Sequence, residues 1–312
     1  EIFAMSRTYM QVLLLFSPAF ILNDIFVCYV RNDGNPQLSM AATAGGSFSN
    51  IVLDYVFMFP LGMGIFGAVL ATGLAPVIGI AIMSPHWLKA SKGFHAVRTG
   101  LSAAHVRNNL ALGFPSLLAQ LSSGIVIIVF NAIILRLTGN TGVAAYGVVA
   151  NLSLVIAAVY TGIAQGIQPL VSREYGKGNK KAQRSFLTWA LYSMAVLSVL
   201  LYAGIFLEAD PIARIFNSEN DLRLQEIAVP GLKLYFTAIL FMGYNVILST
   251  YFTSVEKVIP AHVVSLLRGL ILIVPAAFVM AGLWGMTGVW LAFPVTEGIT
   301  AALGCWMDAR RR

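Results

Sequence analysis

The sequence predicts an all-α, polytopic transmembrane helix bundle, and three observations lead there. Apolar residues make up 58% of the 312 positions and charged residues only 11%, where a soluble domain holds about half and about a quarter. Apolar runs recur along the chain, several of them reaching the roughly 20 residues that an α-helix needs to cross hydrocarbon. The alternating ten-residue strands of a membrane β-barrel are not found in the sequence.

The runs define nine helices, at about 8–30, 38–60, 64–84, 109–137, 142–170, 184–207, 228–253, 259–281 and 286–307. The first two are joined by the polar turn Arg31-Asn-Asp-Gly-Asn-Pro36, the second and third by the short stretch Phe59 to Met63. A basic linker, 85–108, separates the third helix from a six-helix segment, 109–312, so the expected division is 1–84, 85–108 and 109–312. Pro18, Pro115, Pro230, Pro275 and Pro294 fall inside predicted helices, where a missing amide donor produces a kink that can serve as a hinge.

The net charge of +7 does not gather into one patch, which argues against nucleic acid as a partner. Instead the loops alternate. One set carries Arg31, then Lys89, Lys92, Arg98 and Arg107, then Arg173, Lys177, Lys180, Lys181 and Arg184, then Lys257, then Arg310 to Arg312. The other holds Arg7, Arg136, Arg214 and Arg223, the last two among Glu208, Asp210, Glu219, Asp221 and Glu226. By the positive-inside rule the first set faces the cytoplasm. The chain would then enter from outside and end with a cytoplasmic C-terminus in the plasma (inner) membrane, its basic loops near anionic lipid.

A repeat adds a constraint. Gly64-Ile-Phe-Gly67-Ala-Val-Leu-Ala71 recurs as Gly285-Met-Thr-Gly288-Val-Trp-Leu-Ala292, each copy opening a helix after two helices joined by a polar turn. Copies entering from the same side make a parallel repeat, one of the arrangements secondary transporters use. The first three helices then pair with the last three, while those of 109–207 have no counterpart. Two pseudo-symmetric lobes are expected, the first truncated by three helices; Glu1 opens almost directly into an apolar run without a starting Met.

The stretch Gly162-Ile-Ala-Gln165-Gly-Ile-Gln168-Pro169-Leu-Val-Ser-Arg-Glu-Tyr-Gly176-Lys-Gly178-Asn179, with Arg31-Asn-Asp-Gly34-Asn-Pro36 and Gly64-Ile-Phe-Gly67-Ala68, resembles the multidrug and toxic compound extrusion (MATE) family across essentially the whole chain. The resemblance implies twelve helices in two six-helix lobes, of which this chain would supply the fourth to the twelfth. It also implies secondary active export of lipophilic or cationic compounds against Na+ or H+, without a cofactor and without enzymatic activity.

An acid in hydrocarbon costs at least about 2.5 kcal/mol and is a functional candidate by default; Asp24, Asp54 and Glu297 qualify. Asn50 and Asp54 are four apart on one helix, and Ala68 and Thr72 four apart on the next, so each pair shares a face. Carboxylate, amide, hydroxyl and carbonyl oxygens suit Na+, and a buried carboxylate alone can carry H+. The resemblance implies a cation site of Tyr9, Asn50, Asp54, Ala68 and Thr72; the family's site also uses an Asp on its first helix, which this chain lacks. In the C-terminal lobe, where one branch of the family has a Glu, Ser123 stands eight residues after Pro115.

Asp24 is expected to pair with Arg31 or to face a polar cavity, and Glu297 to pair with Arg268 across neighbouring helices. Gln120, Asn151, Gln165, Gln168 and Tyr244 are candidates for a substrate cavity, and Met63, Phe66, Phe130, Tyr146, Tyr160, Phe241 and Met242 for an adaptable apolar lining. Cys28 and Cys305 are expected in the core, and His86, His95, His105 and His262 lack metal-ligand spacing. A monomer is expected. A lipid-linked saccharide flippase is the alternative, but it calls for a basic cavity, for which only Lys233 and Arg268 are available. A receptor or scaffold would need larger loops than the roughly 20 residues found here.

Overall fold

The computed structural model describes residues 2–88, 100, 102–217 and 220–309. Among them every regular element is helical: α1 Ile2–Asn32, α2 Pro36–Met58, α3 Gly64–Leu88, α4 Ala103–Gly176, α5 Lys180–Leu207, α6 Ala209–Phe216, α7 Leu222–Tyr235, α8 Ile239–Ser254, α9 Val258–Leu266 and α10 Ile273–Ala309. A 3-10 turn, Phe236–Ala238, links α7 to α8, and a π-turn, Leu267–Ile271, links α9 to α10. Six stretches of the described residues are long and apolar enough to cross a membrane: Met5–Asn32, Gly64–Leu88, Ala103–Gly176, Lys180–Leu207, Leu222–Ser254 and Val258–Ala309.

Two of these helices do not run straight. At 74 residues, α4 would be about 110 Å long, far more than a bilayer's hydrocarbon core. It breaks at Gly139 (φ 71°, ψ −159°), in a region of backbone space that glycine enters freely and residues with a Cβ do not. Phe130 and Tyr146 stack across the break with ring centroids 5.4 Å apart, where a straight helix would separate them by about 24 Å. The chain therefore doubles back. In α10 the same happens at Gly285 (φ 57°, ψ −133°), where a Cβ on Gly288 would collide with the carbonyl of Met280. Both repeat copies thus open on a left-handed glycine, Gly64 (φ 55°) and Gly285 (φ 57°).

The polar turns are built by short-range chemistry. Gly34 (φ 88°) and Gly178 (φ 71°) each precede an asparagine N-cap. Asn35 accepts from the amide of Leu38 with Pro36 in the first turn, and Asn179 accepts from the amide of Ala182, satisfying donors that the helix start leaves bare. The signature loop is tied further: Glu174 accepts from Lys177 at 2.7 Å and Asn179 at 2.9 Å. The π-turn has a comparable cause. Pro275 has no N–H for the carbonyl of Ile271 and its ring crowds it, and the register slips by one residue just before it, Leu272 N bonding to Leu267 O at 3.0 Å.

Contacts divide the chain into two units, Glu1–Gly100 and Leu101–Arg312. The boundary falls within the expected linker 85–108, of which 85–88 are instead the end of α3 and 103–108 the first turns of α4. Lys89, Lys92, His95, Arg98, Glu219 and Arg310 to Arg312 lie outside the described residues. In the first unit α1, α2 and α3 pack together around Val30, Ala42 and Met83, and His86 Nε2 at the end of α3 lies 2.8 Å from the Asp33 carboxylate in the turn after α1. The second unit has the larger core, centred on Phe130, Ile134, Tyr160, Leu232, Phe252 and Trp290.

Three expectations change. The acidic segment after residue 207 is not all loop: it contains the short helix α6, whose Arg214 pairs with Asp210 at 2.8 Å. Cys28 and Cys305 are exposed, on the outer faces of their helices. Asp24 is also exposed, and the Arg31 guanidinium lies 3.5 Å from the Cys28 sulfur.

Candidate functional site

Two buried polar clusters stand out, one in each unit. In the first unit, glycines set the approach of α2 to α3. A Cβ on Gly67 would touch the Phe57 side chain, and one on Gly46 would lie 3.0 Å from the Ala75 carbonyl. Between these two close contacts, residues 50–54 of α2 run opposite 68–72 of α3. Asn50 and Asp54 are half-buried, and the Asn50 Nδ2 and Asp54 Oδ1 atoms are shielded from solvent without a hydrogen-bond partner among the described residues. On the opposite stretch of α3, Thr72 Oγ1 donates to the carbonyl of Ala68 in its own helix at 3.0 Å. On α1, Phe16 packs on Gly73 and Asn23 on Gly79, so α1 runs parallel to α3 and half-buried Tyr9 sits level with the first turn of α3. No hydrogen bond joins Tyr9 to the cluster among the described residues.

A buried carboxylate oxygen and a buried amide without partners are expensive, at about 1–3 kcal/mol or more each. Proteins keep such groups where something other than stability needs them.

In the second unit, a cavity of about 540 Å³ is bounded by α4, α7, α8, the π-turn and α10. Gln120, Gln165 and Gln168 line it with Ser and Thr hydroxyls from α4 and α8; Tyr146, Tyr235, Met242 and Phe293 form an apolar side. Tyr235 and Phe293 stack at 4.5 Å, their ring planes nearly parallel. The charges in this lining are Arg268 and Glu297. Arg268 donates from Nε (3.1 Å) and Nη2 (2.9 Å) to Oε1 of Glu297. From the other side Asn245 Nδ2 donates to Oε2 at 2.6 Å and to the Glu297 carbonyl at 3.0 Å. Glu297 is 1% exposed and both its oxygens are occupied, whereas the Arg268 side chain is 20% exposed.

A family profile described as MatE matches residues 115–279, more than half of the chain and most of the second unit. The chain belongs to the MatE family. Multidrug export protein MepA of Staphylococcus saprophyticus and of Staphylococcus aureus (strain MW2) are each 24% identical over 306 residues, covering 96% of this chain and 66% of the relative. The chain thus spans just under two thirds of these relatives' length. A crystal structure of a MATE protein in complex with MaL6 superposes with a TM-score of 0.90 at 23% identity, over 97% of this chain and 69% of that one. An outward-facing multidrug resistance MATE transporter of the MOP superfamily does so with a TM-score of 0.90 at 23% identity, over 97% and 68%. The fold is therefore the MATE fold in a multi-pass membrane protein, and the family comprises transporters, not enzymes.

Within this MatE chain the remaining candidate residues distribute unevenly. Asn151 and Tyr244 are not among the cavity's lining residues: Asn151 is exposed and its Nδ2 bonds back to its own helix at Gly147 O, 2.9 Å, while Tyr244 packs toward Gly304 of α10. Tyr146 and Met242 line the cavity, Phe130 and Tyr160 are core, Met63 is half-buried, and Phe66 and Phe241 are exposed. Lys233 stands over the Phe206 ring at 4.9 Å and is not part of the lining, which leaves Arg268, paired with Glu297, as the one basic side chain there among the described residues. Asn245 escaped the sequence reading. Its signal was present: it is the only amide in the apolar run Ile239 to Leu248, and an amide there needs a buried partner.

Proposed function

We propose that this chain carries the second half of the first lobe and the whole second lobe of a secondary active efflux antiporter, exporting drug-sized lipophilic or cationic compounds against Na+ or H+. Nine crossings follow if α4 and α10 each contribute a turn-back at Gly139 and Gly285, α7 and α8 one crossing, and α9 with the first part of α10 another. The resulting topology puts the C-terminus in the cytoplasm of the inner membrane.

One observation carries the coupling assignment: the shielded, unpaired Asp54 Oδ1 and Asn50 Nδ2 opposite Ala68 and Thr72. An acid held without a partner gains most from an arriving cation, whether H+ on the carboxylate or Na+ among the Asp54, Asn50, Thr72 and Ala68 oxygens. Tyr9 closes the outer side of this set. If cation occupancy and substrate occupancy favour opposite-facing states, linkage makes each drive the other. The amphiphile binds in the cavity of the second unit, whose volume lies within the range of drug-sized sites. No cofactor beyond the coupling ion is required, and the basic turns adjoin anionic lipid.

The test is export from proteoliposomes by the full chain and by Asp54→Asn, under an imposed Na+ gradient and, separately, a pH gradient. Asn keeps the shape and removes the charge, so gradient-driven export should fall by at least tenfold. Unchanged export under both gradients refutes the role of Asp54.

A further inference from the structure

We infer that the cavity of the second unit carries a carboxylate-recognition point made by Arg268 and Ser122, so that it prefers amphiphiles bearing a carboxylate, zwitterions included, over purely cationic ones. The inference rests on the efflux reading above and specifies its substrate class.

The argument is a count of donors and acceptors. Both Arg268 contacts with Glu297 end on one oxygen, Oε1. A guanidinium has five N–H donors in a fixed fork, so at least three remain without an acceptor among the described residues, on a side chain that is 20% exposed and lines the cavity. Glu297 is in the opposite condition. Its Oε1 is held by Arg268 and its Oε2 by Asn245 at 2.6 Å, and at 1% exposure the carboxylate is closed to an incoming cation by the side chains packed around it. A cationic ligand therefore finds no available carboxylate in this cavity, while an anionic head finds an available fork.

Ser122 supplies a second, independent donor. Its Oγ is buried and lacks a partner among the described residues, and its residue lines the cavity. It packs directly on Gly269, the residue after Arg268, where a Cβ would collide with that hydroxyl. Gly269 lies in the π-turn Leu267–Ile271. Single π-turns are rare and recur at functional sites because they re-aim side chains. Here the turn carries Arg268 toward Glu297 and the cavity, and its glycine lies against the Ser122 hydroxyl, which belongs to the same lining. Two donors with no competing acceptor suit the two oxygens of a carboxylate, while Tyr146, Tyr235 and Phe293 offer an aromatic face to the ligand's body.

The experiment compares coumarin-3-carboxylate with coumarin-3-carboxamide, two fluorescent probes of nearly equal shape, by titration against the purified full chain in detergent. The acid should bind at least about tenfold more tightly than the amide. Glu297→Gln leaves the guanidinium in place without its internal counter-ion, and should widen that preference. Arg268→Gln combined with Glu297→Gln removes both charges and leaves no orphan, and the two probes should then bind alike. Equal binding of acid and amide to the wild type overturns the carboxylate point and leaves the efflux reading standing. A preference that survives in the double variant overturns the role of Arg268. If neither probe binds, the cavity's substrate role and this inference both fall.

Discussion

Replacing Arg268 with methionine tests whether the ion pair is a structural necessity created by burial. Glu297, 1% exposed in the intact pair, would keep Asn245 as its side-chain hydrogen-bond partner among the described residues. Breaking a buried pair by removing one member costs about 3–5 kcal/mol; because Arg268 is 20% exposed to the cavity, water can reach the vacated space, and about 3 kcal/mol is the figure to expect. Removing both charges with Arg268→Met and Glu297→Leu is different. The orphaned carboxylate disappears, and Asn245 keeps its bond to the backbone carbonyl of residue 297 at 3.0 Å, so the double variant should lie within about 1 kcal/mol of wild type. At roughly 2–4 °C per kcal/mol for a unit of this size, the single variant should melt about 6–12 °C below wild type and the double within about 4 °C. The assay is thermal unfolding in one detergent at one scan rate, since membrane proteins commonly unfold irreversibly. If single and double variants melt within about 2 °C of each other, the pair is not the strongly coupled buried unit described.

Further variants probe the backbone and the cores. Gly285→Ala and Gly139→Ala each force a Cβ into a left-handed conformation and should cost about 1–3 kcal/mol, read as lower melting temperature, whereas Gly282→Ala, in open space, should be neutral or slightly stabilising. Ser198→Ala leaves the fully buried Tyr160 hydroxyl without its 2.6 Å partner and should cost about 1–3 kcal/mol, most of which Tyr160→Phe in the same chain should restore. Gly67→Val should push Phe57 away and separate α2 from α3, lowering both melting temperature and cation-driven export.

Much of the fold was legible because lipid makes strong demands on sequence. Apolar length located the helices, while their ends extend a few residues beyond it, to the turns at Gly34 and Gly178 where an asparagine cap follows a left-handed glycine. The repeat marked Gly64 and Gly285 before their backbone was visible, though its spacing could not say that both adopt positive φ. What composition could not reveal was sidedness. Cys28 and Cys305 sit in apolar runs yet face outward, because in a membrane bundle the lipid-facing side is as apolar as the core and hydropathy loses its directional signal. The same ambiguity placed Asn151 in the cavity when it bonds back to the carbonyl of Gly147 within its own helix, and it hid Asn245, whose importance appears only once its distance to Glu297 is known. The short helix α6 was missed because eight residues carry too few periods to read.

Buried Glu297 and half-buried Asp54 differ in a way that underlies their proposed roles. Glu297 has a fixed internal cation and a fixed amide donor, so its charge is already compensated; a proton or sodium arriving there would have to compete with Arg268, and little free energy remains for it to deliver. Asp54 has no such compensation. Its shielded oxygen stands beside an equally unpaired amide on the same face of α2, opposite a hydroxyl and a carbonyl on α3. A coupling site has to be unstable when empty, since the free energy released on filling it is what shifts the equilibrium between states. That difference is why the proposed mechanism puts the cation in the first unit and the cargo in the second, whose two lining charges already compensate each other.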